Sequence, residues 1–438
     1  MLSFGQIVYF YRCRVMLTQI LVPILYFILF LFIISNKRFF KSDSISKNIL
    51  LLSFSLKAFS ALIFGYLFKS GILTGNDTLM YFNDGNIIYS SLKESPYSYL
   101  QLVFGRNNFY PIPAKLLPYI DDMGFWFDNS NYFLVRINAF IRLFSFGIYN
   151  AHAVVFSFLS FIGIYNIYLF FENKVINKKI LQLILFGIPS VVFWTSGVHK
   201  EAIVFFTLGI SLYNLDAILE LKYNNKNVLF SILGLISLGY IRIYLLLFLV
   251  PLLIAIYIFN KSGKKHPSIT IFLVTIIIFL FVAFVIDLST PQFSLTNELI
   301  VRRRYFVNSP GNFSFPLAGR PHDLQGILLV LWDAITNPFI RPLPTDSGVA
   351  LTYLASLEAI IIIFILIKLI YTVKLKALFH NPYALFSILF GFSTLFLVGL
   401  IVNNSGAIVR YRSIAIPFIL IGFYLKNKEN NNSTLKSC

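Results

Sequence analysis

Two acidic residues near the beginning of a polar stretch are spaced so that they can act together. The stretch is Gly75-Asn76-Asp77-Thr78-Leu79-Met80-Tyr81, and Asp84 follows seven residues after Asp77. On a helix, residues seven apart lie two turns apart on one face. Asp77 and Asp84 are therefore candidate catalytic residues, acting as a general base toward a hydroxyl or binding a divalent cation. The alternative is that Asn76 or Asp77 only caps the helix.

A second stretch ends on three adjacent ionisable residues. It runs from Pro189 to Glu201 and finishes with His199-Lys200-Glu201. Because it joins two apolar runs with almost no loop, we expect these residues at the membrane interface. Lys200 can hold a phosphate oxygen, and a helix dipole favours Glu201 at the start of the next helix. The alternative is a local ion pair with a cap. His199 alone is weak evidence for a metal, since no second histidine lies at ligand spacing.

A set of arginines forms the third group. The guanidinium group binds phosphate through two parallel hydrogen bonds, whereas lysine acts as a point charge. We expect Arg242, Arg341, Arg410 and Arg412 to hold a phosphate. Snorkelling of the side chain to lipid headgroups is the alternative for one or two of the triple Arg302, Arg303 and Arg304. The whole set is Arg242, Arg302, Arg303, Arg304, Arg320, Arg341, Arg410 and Arg412.

The elements that position these residues must lie in a membrane. Of 438 residues, 58% are hydrophobic and 12% are charged, with a mean hydropathy of +0.78. Soluble domains carry about 25% charged residues, so the composition excludes a cytosolic enzyme, a secreted disulfide scaffold and a disordered protein. The sequence has no P-loop, GxGxxG, HExxH or GxSxG motif. Cys13 and Cys438 lie at opposite ends and indicate no thiol chemistry.

Apolar runs of about 20 residues predict an all-α polytopic membrane protein with about eleven spans. The run 228–259 is too long for one span, so we predict a hairpin of two short helices with Arg242 at its turn. The other predicted spans lie at about 15–35, 48–69, 148–171, 180–197, 201–219, 268–287, 348–371, 383–402 and 412–425.

Lysines in the short connections predict the orientation. The positive-inside rule places the connections with Lys37, Lys174, Lys222 and Lys261 in the cytoplasm. Two long loops then lie on the opposite, outer side of the membrane. We expect amphipathic helices in the first of these loops to lie along the membrane surface. The net charge of +18 is dispersed over short loops, which argues against nucleic acid as a partner. The predicted organisation is one membrane domain over 1–425, outer loops at about 70–147 and 288–347, amphipathic segments at 86–104 and 131–146, and a polar cytoplasmic tail at 426–438.

On these residues the chain resembles the bacterial GT-C-type integral-membrane glycosyltransferases. The resemblance is carried by Asp77 with Tyr81 in the first outer loop, by Pro-Ser…Phe-Trp-Thr-Ser-Gly…Lys-Glu at 189–201, by Tyr-Ile-Arg at 240–242 and by Arg-Tyr-Arg at 410–412. Enzymes of that family transfer a sugar from a polyprenyl-phosphate or polyprenyl-diphosphate carrier on the outer face of the cytoplasmic membrane.

The resemblance implies a role for each matching residue. Asp77 is then the base, and basic side chains hold the phosphate of the carrier. Many members of the family have two adjacent acidic residues where this chain has Asn76-Asp77, so a divalent cation stays an open question. The implied partners are a polyprenyl-linked sugar donor, a glycan or lipid acceptor and membrane lipids. The phosphate-holding residues are Lys200, Arg242, Arg410 and Arg412, and the supporting residues are Tyr81, His199 and Glu201.

Two other functions stay open at this stage. The chain is also similar to O-antigen and exopolysaccharide repeat-unit polymerases, which have comparable span counts, two long outer loops and outer arginines, and which transfer a whole oligosaccharide. A lipid-linked sugar flippase or another transporter is the third possibility. Transporters usually place ionisable residues near mid-membrane and often have paired repeats, whereas here no repeat is visible and the middles of the predicted spans are almost free of charge. Lys57, Asp216 and Glu358 lie within predicted spans, and a single central cavity lined by all three would favour transport.

Overall fold

The computed structural model shows an all-α chain. It describes residues 4–73, 75, 77–222, 224–263, 267–289, 295–308, 314–317, 324–346, 349–373 and 375–425. Within these ranges there are eighteen α-helices, and eight of them are long and apolar enough to cross a membrane, as a multi-pass membrane protein requires. Asn76, Arg320 and the predicted tail 426–438 lie outside the described residues.

The helices follow one another with short connections. In chain order they are α1 (Phe4–Asn36), α2 (Lys47–Lys69), α3 (Asp77–Glu94), α4 (Pro96–Phe104), α5 (Leu117–Ile120), α6 (Asn129–Ser145), α7 (Tyr149–Phe171), α8 (Lys178–Gly187), α9 (Pro189–Trp194), α10 (Lys200–Leu219), α11 (Asn225–Lys261), α12 (Ser268–Ser289), α13 (Leu295–Asn308), α14 (Leu324–Ile340), α15 (Ala350–Thr372), α16 (Leu375–His380), α17 (Pro382–Ile401) and α18 (Ser405–Phe423). The long apolar helices are α1, α2, α7, α10, α11, α15, α17 and α18.

The chain forms two compact units. Unit 1 consists of 1–164 and 192–207, and unit 2 consists of 165–191 and 208–438. Helices α7, α9 and α10 therefore have residues in both units.

In unit 1, the first long loop folds into helices that pack on one another. The predicted amphipathic segment 131–146 corresponds to α6, which begins where the Asp128 side chain accepts a hydrogen bond from the amide of Asn131. Helix α3 approaches α6 closely at Gly85, where an added Cβ would lie 2.7 Å from the Cβ of Asn138. The predicted segment 86–104 is divided between α3 and α4, because a proline follows Ser95 and opens a new helix. Their position along the membrane surface stays a prediction.

In unit 2, α18 is a central helix, and most of its length is buried. Small residues let neighbouring backbones approach, as is common between membrane helices. An added Cβ at Gly391 of α17 would lie 2.8 Å from the carbonyl oxygen of Ala415 in α18. At Gly399 of α17, an added Cβ would lie 2.3 Å from the carbonyl oxygen of Ala334 in α14. These contacts fix α14, α17 and α18 as one packed group.

Two predicted spans differ from the helices found. The predicted span 180–197 is instead α8 and α9, of ten and six residues, which are too short to cross about 30 Å of hydrocarbon. The break falls before Pro189, since proline cannot donate the backbone hydrogen bond that would continue α8. The last predicted span, 412–425, begins earlier, because the Asn404 side chain caps α18 by accepting from the amides of Gly406 and Ala407. The sequence 410–412 therefore lies within the helix and not at its mouth.

The long apolar run 228–259 is interrupted where the sequence predicts it. The backbone of Arg242 is non-helical, with φ −147° and ψ 76°, and it separates the helical segments 225–241 and 243–261 of α11. The break at Arg242 is confirmed, and the antiparallel pairing of the two segments stays a prediction. The predicted span 268–287 corresponds to α12, whose apolar part is described from Ser268 to Val282.

Candidate functional site

The first polar site, in unit 1, is built around the beginning of α3. Asp77 is the first residue of α3 and is half-buried, and Tyr81 follows one turn later on the same face. The Tyr81 hydroxyl donates to Oδ1 of Asn131 at 2.6 Å, and its ring stacks on Phe125 with 5.0 Å between centroids. Nδ2 of Asn131 donates in turn to Asp128 at 2.7 Å. The loop and α6 thus hold Tyr81 beside Asp77.

Asp84 lies two turns after Asp77 on α3, as predicted, but its surroundings differ. Its carboxylate is buried and accepts from the backbone amides of Phe125 at 3.0 Å and Gly124 at 3.4 Å. Burial raises the pKa of Asp84, and the two backbone hydrogen bonds act against that rise. The structure therefore places Asp84 where it anchors the 124–125 backbone to α3.

Residues His199, Lys200 and Glu201 contribute to the same neighbourhood of unit 1. Nζ of Lys200 donates to the Ser130 hydroxyl at 2.5 Å, in the first turn of α6. Nδ1 of His199 is hydrogen-bonded to the Glu201 carboxylate, and both side chains are buried. The His199 ring lies edge-on to Tyr81 with 6.4 Å between centroids. Unit 1 thus brings together a half-buried carboxylate, a lysine and a carboxylate-bound histidine.

The second polar site, in unit 2, is a pair of arginines on one tyrosine. Arg242, at the break of α11, donates to the Tyr411 hydroxyl at 3.0 Å, and Arg410 donates to the same oxygen at 3.2 Å. Both guanidinium groups also lie over the Tyr411 ring, 4.6 and 5.0 Å from its centroid. Two positive charges therefore share one neutral acceptor, which makes the region favourable for an anion.

Arg412, two residues further along α18, has a different environment. Its side chain is fully buried and donates to the carbonyl oxygens of Arg341 at 2.9 Å, Ala355 at 3.3 Å and Phe339 at 3.4 Å. Phe339 lies in the last turn of α14 and Arg341 follows the helix, and carbonyls at a helix end have no partner within the helix. The guanidinium of Arg412 therefore caps α14, a favourable position for a cation.

Arg341 is engaged at the same end of α14. It forms an ion pair with Asp346, and its guanidinium lies 4.7 Å from the centroid of the Phe315 ring. Asp346 also accepts from the Leu343 amide at 2.8 Å and from the Ser405 hydroxyl at 3.4 Å. Of the four arginines predicted to hold phosphate, the structure brings Arg242 and Arg410 together and places Arg341 and Arg412 at the end of α14.

An apolar cavity of about 330 Å³ lies in unit 2. Phe339, whose carbonyl binds Arg412, lines it. Phe248 also lines it, six residues after Arg242 and so about 9 Å further along α11. The wall is mainly aromatic and aliphatic, and it includes Phe248, Ala334, Ile335, Phe339, Phe392 and Phe396.

Sequence reasoning missed the neutral partners of these charges. Tyr411 follows Arg410 in the sequence, which could have identified it as an acceptor for that arginine, but Arg242, the second donor, is 169 positions away. Asn131 and Ser130 give no such signal, because their partners Tyr81 and Lys200 are 50 and 70 positions away. On α13, Arg302 and Arg304 are exposed, while Arg303 donates to the Leu400 carbonyl.

The remaining predicted ionisable residues of unit 2 have separate partners. Asp216 is paired with Lys174 at 2.7 Å, and Glu358 accepts from the amide and hydroxyl of Ser190 at 2.9 and 2.5 Å. Over the part of the chain that the structure describes, no three His, Cys, Asp or Glu side chains are grouped to hold a metal ion. The question of a divalent cation stays open.

Comparison with known proteins assigns no family to this chain. The sequence matches no protein-family model, and no curated protein or solved structure is significantly similar to it. Function is therefore argued from the geometry of the two polar sites.

Proposed function

We propose that the chain is a membrane glycosyltransferase. It moves a sugar from a polyprenyl-phosphate-linked donor to a glycan or lipid acceptor of the cell envelope, on the outer face of a bacterial cytoplasmic membrane. The observation that carries the proposal is the convergence of Arg242 and Arg410 on the Tyr411 hydroxyl. A phosphate bound there would receive charge-assisted hydrogen bonds from two guanidinium groups and reduce their mutual repulsion.

The apolar cavity supports a phosphate that is carried by a lipid. An isoprenoid chain gains by leaving water for an aromatic and aliphatic wall. Two of the residues that line the cavity have a relation to the arginines: the Phe339 carbonyl accepts from Arg412, and Phe248 follows Arg242 by six residues on α11. The combination of cationic and apolar surfaces fits both ends of a polyprenyl phosphate.

The groups of unit 1 supply the acid–base chemistry in this proposal. The acceptor hydroxyl attacks the anomeric carbon, and its proton passes to a general base, for which Asp77 at the beginning of α3 is the candidate. The bond between the anomeric carbon and the phosphate oxygen breaks, and the lipid phosphate leaves as an anion stabilised by Arg242 and Arg410. Asp84, Arg341 and Arg412 have structural roles in this mechanism.

The decisive experiment is a transfer assay on purified protein in lipid nanodiscs, with polyprenyl-phosphate-linked sugars as donors. Because a positioned base contributes about 10²–10⁴-fold, Asp77→Asn should lower the transfer rate by about 100-fold or more. Asp122→Asn is the matched control, since Asp122 is exposed in the same loop, and it should keep the wild-type rate.

The outcomes of this assay separate the three candidate functions. Wild-type activity in Asp77→Asn would remove the proposed base. Products lengthened by whole oligosaccharide units would instead identify a repeat-unit polymerase. Movement of a lipid-linked sugar across vesicles without transfer would identify a flippase. Asp216 and Glu358, both in unit 2, are bound to different partners, Lys174 and Ser190.

A further inference from the structure

A lysine is buried in the middle of a membrane-spanning helix. Lys57 lies in α2, which is long and apolar enough to cross a membrane, and its side chain is 2% exposed. Its Nζ donates to the hydroxyl of Thr195 at 2.5 Å and to the carbonyl oxygen of the same residue at 3.3 Å. An ionisable side chain at this depth is costly, so a role for it is expected. Lys57 thus binds both the side chain and the backbone of Thr195.

Thr195 begins the turn that leads to the ionisable residues of unit 1. The turn covers 195–199, between α9 and α10, and all five of its residues are buried. Its last residue is His199, and Lys200 and Glu201 follow at once in the first turn of α10. The position of the turn therefore determines where these three side chains point.

Helix α2 contacts this turn at a second place. Phe64 lies seven residues after Lys57, and so on the same face of α2. An added Cβ at Gly197 would lie 2.2 Å from the Phe64 ring, and the rings of Phe64 and His199 are 5.7 Å apart. One face of α2 thus holds the turn by a polar contact at Thr195 and by an apolar contact at Gly197.

We propose that Lys57 is a positioning residue for the site of unit 1. Its two hydrogen bonds tie the 195–199 turn to α2 from within the membrane and so fix the orientation of His199, Lys200 and Glu201. Hydrogen bonds are electrostatically stronger in a low-dielectric interior than in water. The catalytic consequence rests on the proposed function, whereas the anchoring of the turn does not.

The anchoring is tested by the accessibility of the turn. Ser196 is fully buried, so Ser196→Cys, in a background of Cys13→Ser and Cys438→Ser, should react slowly with N-ethylmaleimide. Adding Lys57→Met should accelerate labelling at least about 10-fold, because the turn loses both hydrogen bonds from the Lys57 side chain. Leu56→Met is the matched control, since Leu56 is the adjacent residue and is exposed, and it should leave the rate unchanged.

A second cysteine separates local release from unfolding. Ser160 of α7 is also buried in unit 1, and Ser160→Cys should stay slow to react in the Lys57→Met protein. Fast labelling at 196 with slow labelling at 160 supports the proposal. Equal rates at 196 with and without Lys57 would overturn it, as would equal acceleration at both positions.

The catalytic consequence is tested by a double-mutant cycle with Thr195. Lys57→Met and Thr195→Val should each lower kcat about 10-fold and leave the KM of the donor unchanged, while Thr195→Ser, which keeps the hydroxyl, should behave as wild type. The double variant should be no slower than the slower single variant. Multiplying effects would show that Lys57 acts elsewhere and would overturn the proposal. Absence of transfer in the wild type would refute the proposed function, and the labelling result would still decide the anchoring.

Discussion

Helices α3 and α18 each carry two predicted site residues of the same charge, and on both helices these two residues have different surroundings. On α3, Asp84 is buried against the amides of Gly124 and Phe125, whereas Asp77 is half-buried at the beginning of the helix. On α18, Arg412 is buried against three backbone carbonyls, whereas Arg410 shares the Tyr411 hydroxyl with a second arginine. Two residues of the same type, a few positions apart on one helix, thus have different roles.

The difference between the surroundings has a physical basis. Backbone groups at loops and helix ends must be hydrogen-bonded when they are buried, and a charged side chain does this well. Such a charge cannot be given up to a ligand without leaving the backbone group without a partner. A charge bound to a neutral side chain, or placed at a partly open helix end, can gain from a charged ligand. We therefore assign Asp84 and Arg412 to the fold, and Asp77 and Arg410 to chemistry.

The largest expected effect tests this assignment at Arg412. Arg412→Met should lower the free energy of unfolding by about 3–5 kcal/mol, because it removes a buried charge that satisfies the end of α14. Thermal unfolding of the purified protein measures the loss. Arg106→Met, at an exposed position, should change stability by less than about 0.5 kcal/mol. If the Arg412→Met protein kept wild-type stability but no longer bound the donor, Arg412 would be a phosphate ligand. The proposed difference in role between Arg410 and Arg412 would then be wrong.

A smaller effect is expected at Arg410, on binding rather than on stability. Arg410→Ala removes one of the two guanidinium groups at Tyr411, and a hydrogen bond to a charged group contributes about 1.5–3 kcal/mol. The Kd for polyprenyl phosphate should therefore rise about 10–100-fold. Native mass spectrometry in detergent can measure it. Affinity for the uncharged polyprenol is the control and should not change, and an equal loss for both lipids would contradict a phosphate contact.

The helices that carry these residues were only partly predictable from the sequence. Apolar length predicted α2, α7 and α10 closely, because burying a helix in hydrocarbon requires little else. It failed at 180–197, where Pro189 ends α8 in the middle of an apolar run. It also placed the beginning of α18 too late, at residue 412, because Arg410 and Arg412 lower the hydropathy of the first turns. The helix begins at Ser405, and the Asn404 side chain caps it.

The sequence identified the charged residues by their type, but it did not identify their hydrogen-bond partners. The sequence marked Asp84 as an acid on the face of Asp77, but the two amides that hold it are 40 and 41 positions away. It marked Arg412 as a phosphate ligand, but the carbonyls that surround it belong to α14, α15 and the residue that follows α14. Backbone partners carry no sequence signal, since every residue has the same amide and carbonyl. Only tertiary contacts distinguish a charge that holds the fold from one that is open to a ligand.

The smallest expected effect concerns Asp84 and is a change in pH dependence. Burial raises the pKa of Asp84 above its ordinary value of 3.8, so between the two values the folded protein binds more protons than the unfolded chain. Stability from this group is therefore complete below about pH 4 and is lost as the pH rises through the folded pKa. Asp84→Asn should remove that decline in melting temperature on titration toward pH 7. At low pH it should change stability little, because a protonated carboxyl and a carboxamide each offer one carbonyl oxygen as acceptor. Asp122→Asn is the control and should keep the wild-type dependence of melting temperature on pH. If Asp84→Asn also kept it, the titrating group would be another residue, and Asp84 would again be a candidate for catalysis.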